Sequence, residues 1–172
     1  MARVISVVNQ KGGVGKTTTM VSVASILTEQ YKLRVLAIDL DPQGNASSGL
    51  GLEKNSYRKC IYNVLINDCE LEDVIYSSSL NSLNIVPATI QLAGAEIELV
   101  GELSRENKLK KALRKADQNY DVIIIDCPPS LGLLTVNALA ASTDLLIPLQ
   151  CEYFALEGLT QLLNTIDLVK SD

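Results

Sequence analysis

Short apolar runs alternate along this chain with stretches whose apolar residues recur every three or four positions. Val4-Ile5-Ser6-Val7-Val8 is a β-branched run that stops at Asn9-Gln10-Lys11-Gly12-Gly13, which predicts a buried strand running into a glycine loop. From Lys16 the period changes. Met20, Val23, Ala24 and Leu27 fall on one face of an amphipathic helix predicted to reach about Gln30. A second apolar strand, 34–39, ends on the carboxylate of Asp39. Pro42, Gly44, Asn45, two serines and two further glycines make 40–51 a predicted loop. Residues 53–82 carry weaker patterns, with short helices expected over 61–65 and 71–76. Leu83-Asn84-Ile85-Val86 reads as a strand stopped by Pro87. Leu92, Ala95, Leu99 and Leu103 share one predicted helical face. Leu109, Ala112, Leu113 and Ala116 share another, opposite a basic row. Val122-Ile123-Ile124-Ile125-Asp126 is continuously apolar up to its aspartate, and Pro128-Pro129 forbids its extension. The last strand is predicted over 144–149 and a last helix over 154–169.

Strands without polar alternation, separated by helices, imply an α/β fold with a mostly parallel sheet flanked by helices on both faces. Right-handed crossovers then bring the C-terminal ends of the strands to one edge, where open α/β sheets bind ligands. A length of 172 residues fits a single domain, and 47% hydrophobic residues suffice for a packed core. No apolar run is long enough to span a bilayer, and 1–4 lead straight into the first strand without a secretory h-region. A soluble cytoplasmic protein is expected. There is no histidine, which argues against histidine acid–base chemistry. Cys60, Cys69, Cys127 and Cys151 form no C-x-x-C pair, so they read as free thiols rather than zinc ligands. The net charge of −5 offers no bulk electrostatic grip on nucleic acid. Arg105, Lys108, Lys110, Lys111, Arg114 and Lys115 read best as a solvated helix face.

The strongest chemical signal is Lys11-Gly12-Gly13-Val14-Gly15-Lys16-Thr17-Thr18, set between a strand and a helix. Glycines let the backbone turn its N–H groups around phosphate oxygens, and the following helix N-terminus adds unpaired donors and partial positive charge. Lys16 is placed to reach β- and γ-phosphates, and Thr17 to ligate Mg²⁺. The strict pattern wants glycine where this chain has Gln10, and a second lysine, Lys11, accompanies that departure. Asp126 closes its strand where a Walker B carboxylate would hold Mg²⁺ directly or through water. Asp39 and Asp41 flank Leu40, point the same way in an extended chain, and leave one of them to orient a water.

This octapeptide resembles the deviant Walker A box of the ParA/MinD ATPases, whose hallmark is the extra lysine at Lys11. Asp39-Leu40-Asp41-Pro42-Gln43-Gly44-Asn45 is similar to that family's switch I, and Asp126-Cys127-Pro128-Pro129-Ser130 to its Walker B and switch II. Leu149-Gln150-Cys151-Glu152-Tyr153-Phe154-Ala155-Leu156-Glu157-Gly158 resembles a segment of the chromosomal ParA (Soj) branch. The resemblance implies a three-layer P-loop NTPase fold and a slow, partner-stimulated ATPase that partitions chromosomes or plasmids, with ATP and Mg²⁺ as cofactors. It implies a homodimer sandwiching ATP, non-specific DNA bound by that dimer in the nucleoid, and a ParB-like partner that stimulates hydrolysis. Residues 12–18 would wrap the phosphates, Thr17 and Asp126 would serve the metal with Asp39 and Asp41 behind them, and Lys11, Lys16 and Asp41 would be catalytic. Lys11 would cross to the partner's phosphates, and Asp41 would act on the attacking water. Members of this branch usually run about a third longer, so the resemblance also implies a chain truncated at its C-terminus, with the sheet incomplete there.

Three other readings compete. A membrane-cycling ATPase of the MinD kind relies on a C-terminal amphipathic helix, and no basic, apolar-rich one is evident here. An iron–sulfur carrier on the same scaffold lacks paired cysteines. A nucleotide-binding fragment without turnover would keep the loop and lose the chemistry.

Overall fold

The computed structural model describes residues 2–54, 56–116, 118–150 and 155–171. Among the described residues six strands form one sheet, ordered β3-β4-β2-β5-β1-β6: β1 (Arg3–Val7), β2 (Val35–Asp39), β3 (Tyr76–Ser77), β4 (Leu83–Val86), β5 (Val122–Asp126) and β6 (Asp144–Leu146). All neighbouring pairs are parallel except β3–β4. This is the α/β architecture that the unbroken apolar strands imply, and it agrees with the P-loop-type fold that the resemblance implies. Every residue of β2 and β5 is buried, and side-chain alternation divides them between two cores. Val35, Ala37, Val122 and Ile124 pack with Met20 and Ala24 of helix α1 (Lys16–Glu29) on one face. Leu36, Ile38, Ile123 and Ile125 pack on the other.

That second face is covered by α3 (Ile61–Ile66), α4 (Leu92–Leu99), α5 (Lys108–Ala116), α6 (Leu133–Ala141) and α7 (Ala155–Ser171). They contribute Leu65, Leu92, Leu99, Leu109, Leu134 and Leu162 to its core. Among the described residues, no helix is long and apolar enough to cross a membrane.

Several expectations are corrected. The predicted loop 40–51 contains a short helix, α2 (Asn45–Gly49); its Gly/Ser composition carries no helical signal, and tertiary bonds to Ser47 hold it. Residues 71–76 divide into a 3₁₀ turn, Leu71–Val74, and the antiparallel strand β3 that begins at Tyr76. Helix α4 stops at Leu99, so Leu103 does not share its buried face and is 91% exposed. Strand β6 ends at Leu146 rather than 149. Helix α6 has no counterpart in the sequence reading because its apolar residues run all round it. Its two inward polar side chains are internally bonded: Thr135 Oγ1 donates to Ser130 O at 2.7 Å, and Asn137 Nδ2 to Arg105 O at 2.7 Å. The basic row is only partly free in solvent: Lys108 pairs with Asp68 and Glu102, Lys115 pairs with Glu70, and Arg105 lies before α5 with its guanidinium on Val100 O. Cys60 and Cys127 are buried free thiols and Cys69 is half-buried. Cys151 and positions 152–154 of the last motif lie outside the described residues.

Candidate functional site

Parallel register delivers the candidate residues to one edge. Val7, the last residue of β1, and Asp39, the last of β2, both lie opposite Asp126, the last of β5. The chain leaves β1 into the glycine loop and enters α1 through Gly15, whose φ of +88° is open to glycine and strained for other residues. Gly13 takes φ +74° in the same loop. Among the described residues beyond the chain neighbours, nothing lies within 4 Å of where a Cβ would project from Gly12, Gly13 or Gly15, so nothing else in the chain packs on the loop at those points. Thr19 N–H bonds Gly15 O at 2.8 Å. The N–H groups of the first turn, through Thr18, precede any intrahelical acceptor and are left for a ligand.

Lys16 is 7% exposed, with Nζ donating to Lys11 O at 3.0 Å. Burial lowers its pKa, and the charges of Asp126 and Asp41 oppose that shift. Thr17 Oγ1 donates to Asp126 Oδ2 at 2.6 Å. The other oxygen, Asp126 Oδ1, is buried and has no hydrogen-bond partner among the described residues. A buried carboxylate oxygen without a donor is costly unless something else occupies its lone pairs. A hydroxyl, a carboxylate with a vacant oxygen, an ammonium and a ring of N–H groups fit a polyphosphate carried with a hard divalent cation. Among the described residues, no three acidic, Cys or His side chains close on one point. That suits a cation which keeps most of its ligands as water and phosphate.

Asp39 and Asp41 do not share an environment, because the extended backbone ends at Asp39. Asp39 is fully buried. Its Oδ2 accepts from Ser47 N at 2.8 Å and Ser47 Oγ at 2.7 Å, and its Oδ1 from Asp41 N at 3.1 Å. Ser47 Oγ in turn accepts from Ala88 N at 3.2 Å. Asp39 therefore fastens α2 to the exit of β4. Asp41 is half-buried, and its Oδ1 accepts from Gln43 N at 2.9 Å in a local turn. Lys11 is exposed; its N–H is held by Asn9 Oδ1 at 2.9 Å and its Nζ lies 3.4 Å from Gln150 Oε1.

Two contributors carry no sequence signal of their role: Ser47 and Asn9. The Glu96 carboxyl, from α4, sits where a Cβ on Gly132 would go. A larger residue at position 132 would have to move that flexible carboxyl aside.

Burial raises Asp126 to about 7 and Asp39 to about 6. Both stand above the ordinary carboxylate value of about 3.9, so between pH 4 and pH 7 the native chain binds more protons than the unfolded chain. Stability from these groups falls as pH rises through that window and levels off above it. Asp121 and Asp144, held down to about 2 by Arg34 and Arg3, contribute above about pH 4 and lose that contribution only in strong acid. With no histidine titrating in between, the metal-free chain is expected to melt several degrees higher near pH 5 than near pH 8. The change corresponds to on the order of 3 kcal/mol. Calorimetry across that range checks it, and a midpoint that climbs steadily from pH 5 to 8 would contradict it.

A family model described as an AAA domain matches residues 2–172. The sporulation initiation inhibitor protein Soj of Bacillus subtilis is 59% identical over 170 residues, covering 99% of this chain and 67% of that protein. The chromosome partitioning protein ParA of Myxococcus xanthus is 55% identical over 170 residues, covering 99% of this chain and 60% of that protein. The chain thus spans about two thirds of the length of these relatives. Among solved structures, the cobyrinic acid a,c-diamide synthase of Mycobacterium smegmatis, with bound ATP analog and magnesium, superposes with a TM-score of 0.93. It is 46% identical, covering 99% of this chain and 69% of that one.

Proposed function

The chain belongs to the ParA/Soj family of AAA-domain proteins, and from that premise we propose that it is the ATP-binding part of a DNA-partitioning ATPase. The observation that carries this reading is the Thr17–Asp126 pair with its vacant carboxylate oxygen, set beside buried Lys16 under an open glycine loop that holds a second lysine. In the proposed cycle the first-turn N–H groups and Lys16 bind the β- and γ-phosphates of ATP. Thr17 and Asp126 hold Mg²⁺, which when bound neutralises phosphate charge during transfer. Asp41 orients the attacking water, and Lys11 reaches the phosphates of a second copy to stabilise charge in the transition state. The sandwich dimer binds DNA without sequence preference, and a ParB-like protein speeds hydrolysis and release. The site of action is the nucleoid. The Soj and ParA relatives are more similar, at 59% and 55% identity, than the solved synthase at 46%, and this favours partitioning over amide synthesis.

Light scattering after size exclusion, with Mg-ATP, Mg-ADP or no nucleotide, tests the proposal together with retention on DNA at rising salt. A dimer with Mg-ATP alone is expected, and its DNA affinity should fall steeply and linearly in log–log form. Equal mass and equal retention in all three states would overturn it.

A further inference from the structure

After β6 the chain crosses the front of the glycine loop and is stitched to it. Val8 N bonds Leu146 O at 3.0 Å, and Asn9 Nδ2 donates to Pro148 O at 2.8 Å. Gln150 then spans the loop with both ends of its carboxamide. Its Nε2 donates to Gly13 O at 3.3 Å, and its Oε1 faces Lys11 Nζ at 3.4 Å. The backbone of Lys11 is already fixed at N by Asn9 Oδ1 and at O by Lys16 Nζ. The side chain reaches outward from that fixed backbone, and Gln150 is a group that it touches. A carboxamide suits both contacts, because one end accepts from an ammonium while the other donates to a carbonyl.

We infer that Gln150 is a positioning residue for Lys11: it rests the lysine on its own phosphate loop, and transfer of that lysine to a second copy requires the contact to be given up. The inference rests on the dimer reading above, in which Lys11 acts across the interface. Both contacts are long and lie at the surface. They therefore bias the lysine's position without locking it, on the scale of exposed polar pairs.

Two substitutions move the bias in opposite directions. Gln150→Ala removes both contacts and releases Lys11 from this rest. Gln150→Glu keeps the acceptor, adds a charge that attracts the Lys11 ammonium, and sets a carboxylate oxygen against Gly13 O. The first readout is the rate at which Lys11 is acetylated by acetic anhydride in the nucleotide-free chain, followed by peptide mass spectrometry. About a two- to fivefold rise is expected for Gln150→Ala and a fall of similar size for Gln150→Glu. The second is the rate of Mg-ATP-dependent association, expected to rise for Gln150→Ala and fall for Gln150→Glu, with neither effect surviving in a Lys11→Ala background.

Wild-type acetylation rates in both variants would overturn the inference. So would slowing of association by both alike, which would make Gln150 only a prop for the loop. Acetylation that shifts as expected in a chain that never dimerises with Mg-ATP would instead remove the dimer reading, and the transfer of Lys11 with it.

Discussion

Lys16→Ala is expected to leave a folded chain that no longer binds nucleotide measurably. Lys16 is more than nine-tenths buried and already oriented, with Nζ on Lys11 O and Thr17 beside it bonded to Asp126. Without it, phosphate oxygens at the loop would meet the charges of Asp126 and Asp41 with no Lys16 ammonium to offset them. Removing one member of a desolvated, hydrogen-bonded charge pair costs about 2–5 kcal/mol, or roughly 30- to 5,000-fold in affinity. The fold itself should tolerate the change, because holding an ammonium out of water is costly; burial already lowers the pKa of Lys16. Titration calorimetry with Mg-ADP, alongside a circular dichroism melt, separates lost binding from lost structure. Unchanged affinity in a folded variant would mean that phosphate does not sit in this loop.

What the sequence discloses and conceals follows from how far apart the interacting residues lie. The glycine loop, Lys16 and Thr17 are legible because their geometry is set within eight consecutive residues. Asp126 is legible because an unbroken apolar run leads straight to its carboxylate, and a prolyl pair then stops the strand there. The bond from Thr17 to Asp126 spans 109 positions, and only parallel register brings its ends together. Asp39 shows the opposite case. Its spacing from Asp41 suggests a matched pair, but Ser47, eight residues on, takes both hydrogen bonds of one Asp39 oxygen and turns that carboxylate into a structural clasp. A serine in a Gly/Ser stretch carries no periodic signal, so neither α2 nor the clasp that holds it is visible in the pattern. Gln150 stands in a motif that the sequence shows, but its contacts do not, because its partners, Lys11 and Gly13, lie 139 and 137 residues away.

That division between the two aspartates makes the effect of Asp41→Ala specific. Asp39 is closed off by Ser47 and Asp41 N–H, whereas Asp41 is half-buried, uses Oδ1 for the N–H of Gln43, and stands close enough to Lys16 to influence its pKa. Asp41 is therefore the one that the proposed mechanism assigns to the attacking water. Removing a group that positions or deprotonates a nucleophile typically costs about 10²–10⁴-fold in rate. On the proposed reading Mg-ATP affinity rests on Lys16, Thr17 and the loop, so it should stay within a few-fold of the wild-type value. The expected outcome is an Asp41→Ala chain that binds Mg-ATP, dimerises and stays dimeric, with phosphate release reduced about 100-fold or more. Asp41→Asn should keep the turn to Gln43 N through its carbonyl oxygen and still lose turnover, because the missing element is charge rather than shape. Phosphate release and light scattering on the same sample decide the matter. Turnover at the wild-type rate in Asp41→Ala would take Asp41 out of the mechanism, while loss of ATP binding would make it part of the phosphate cradle instead.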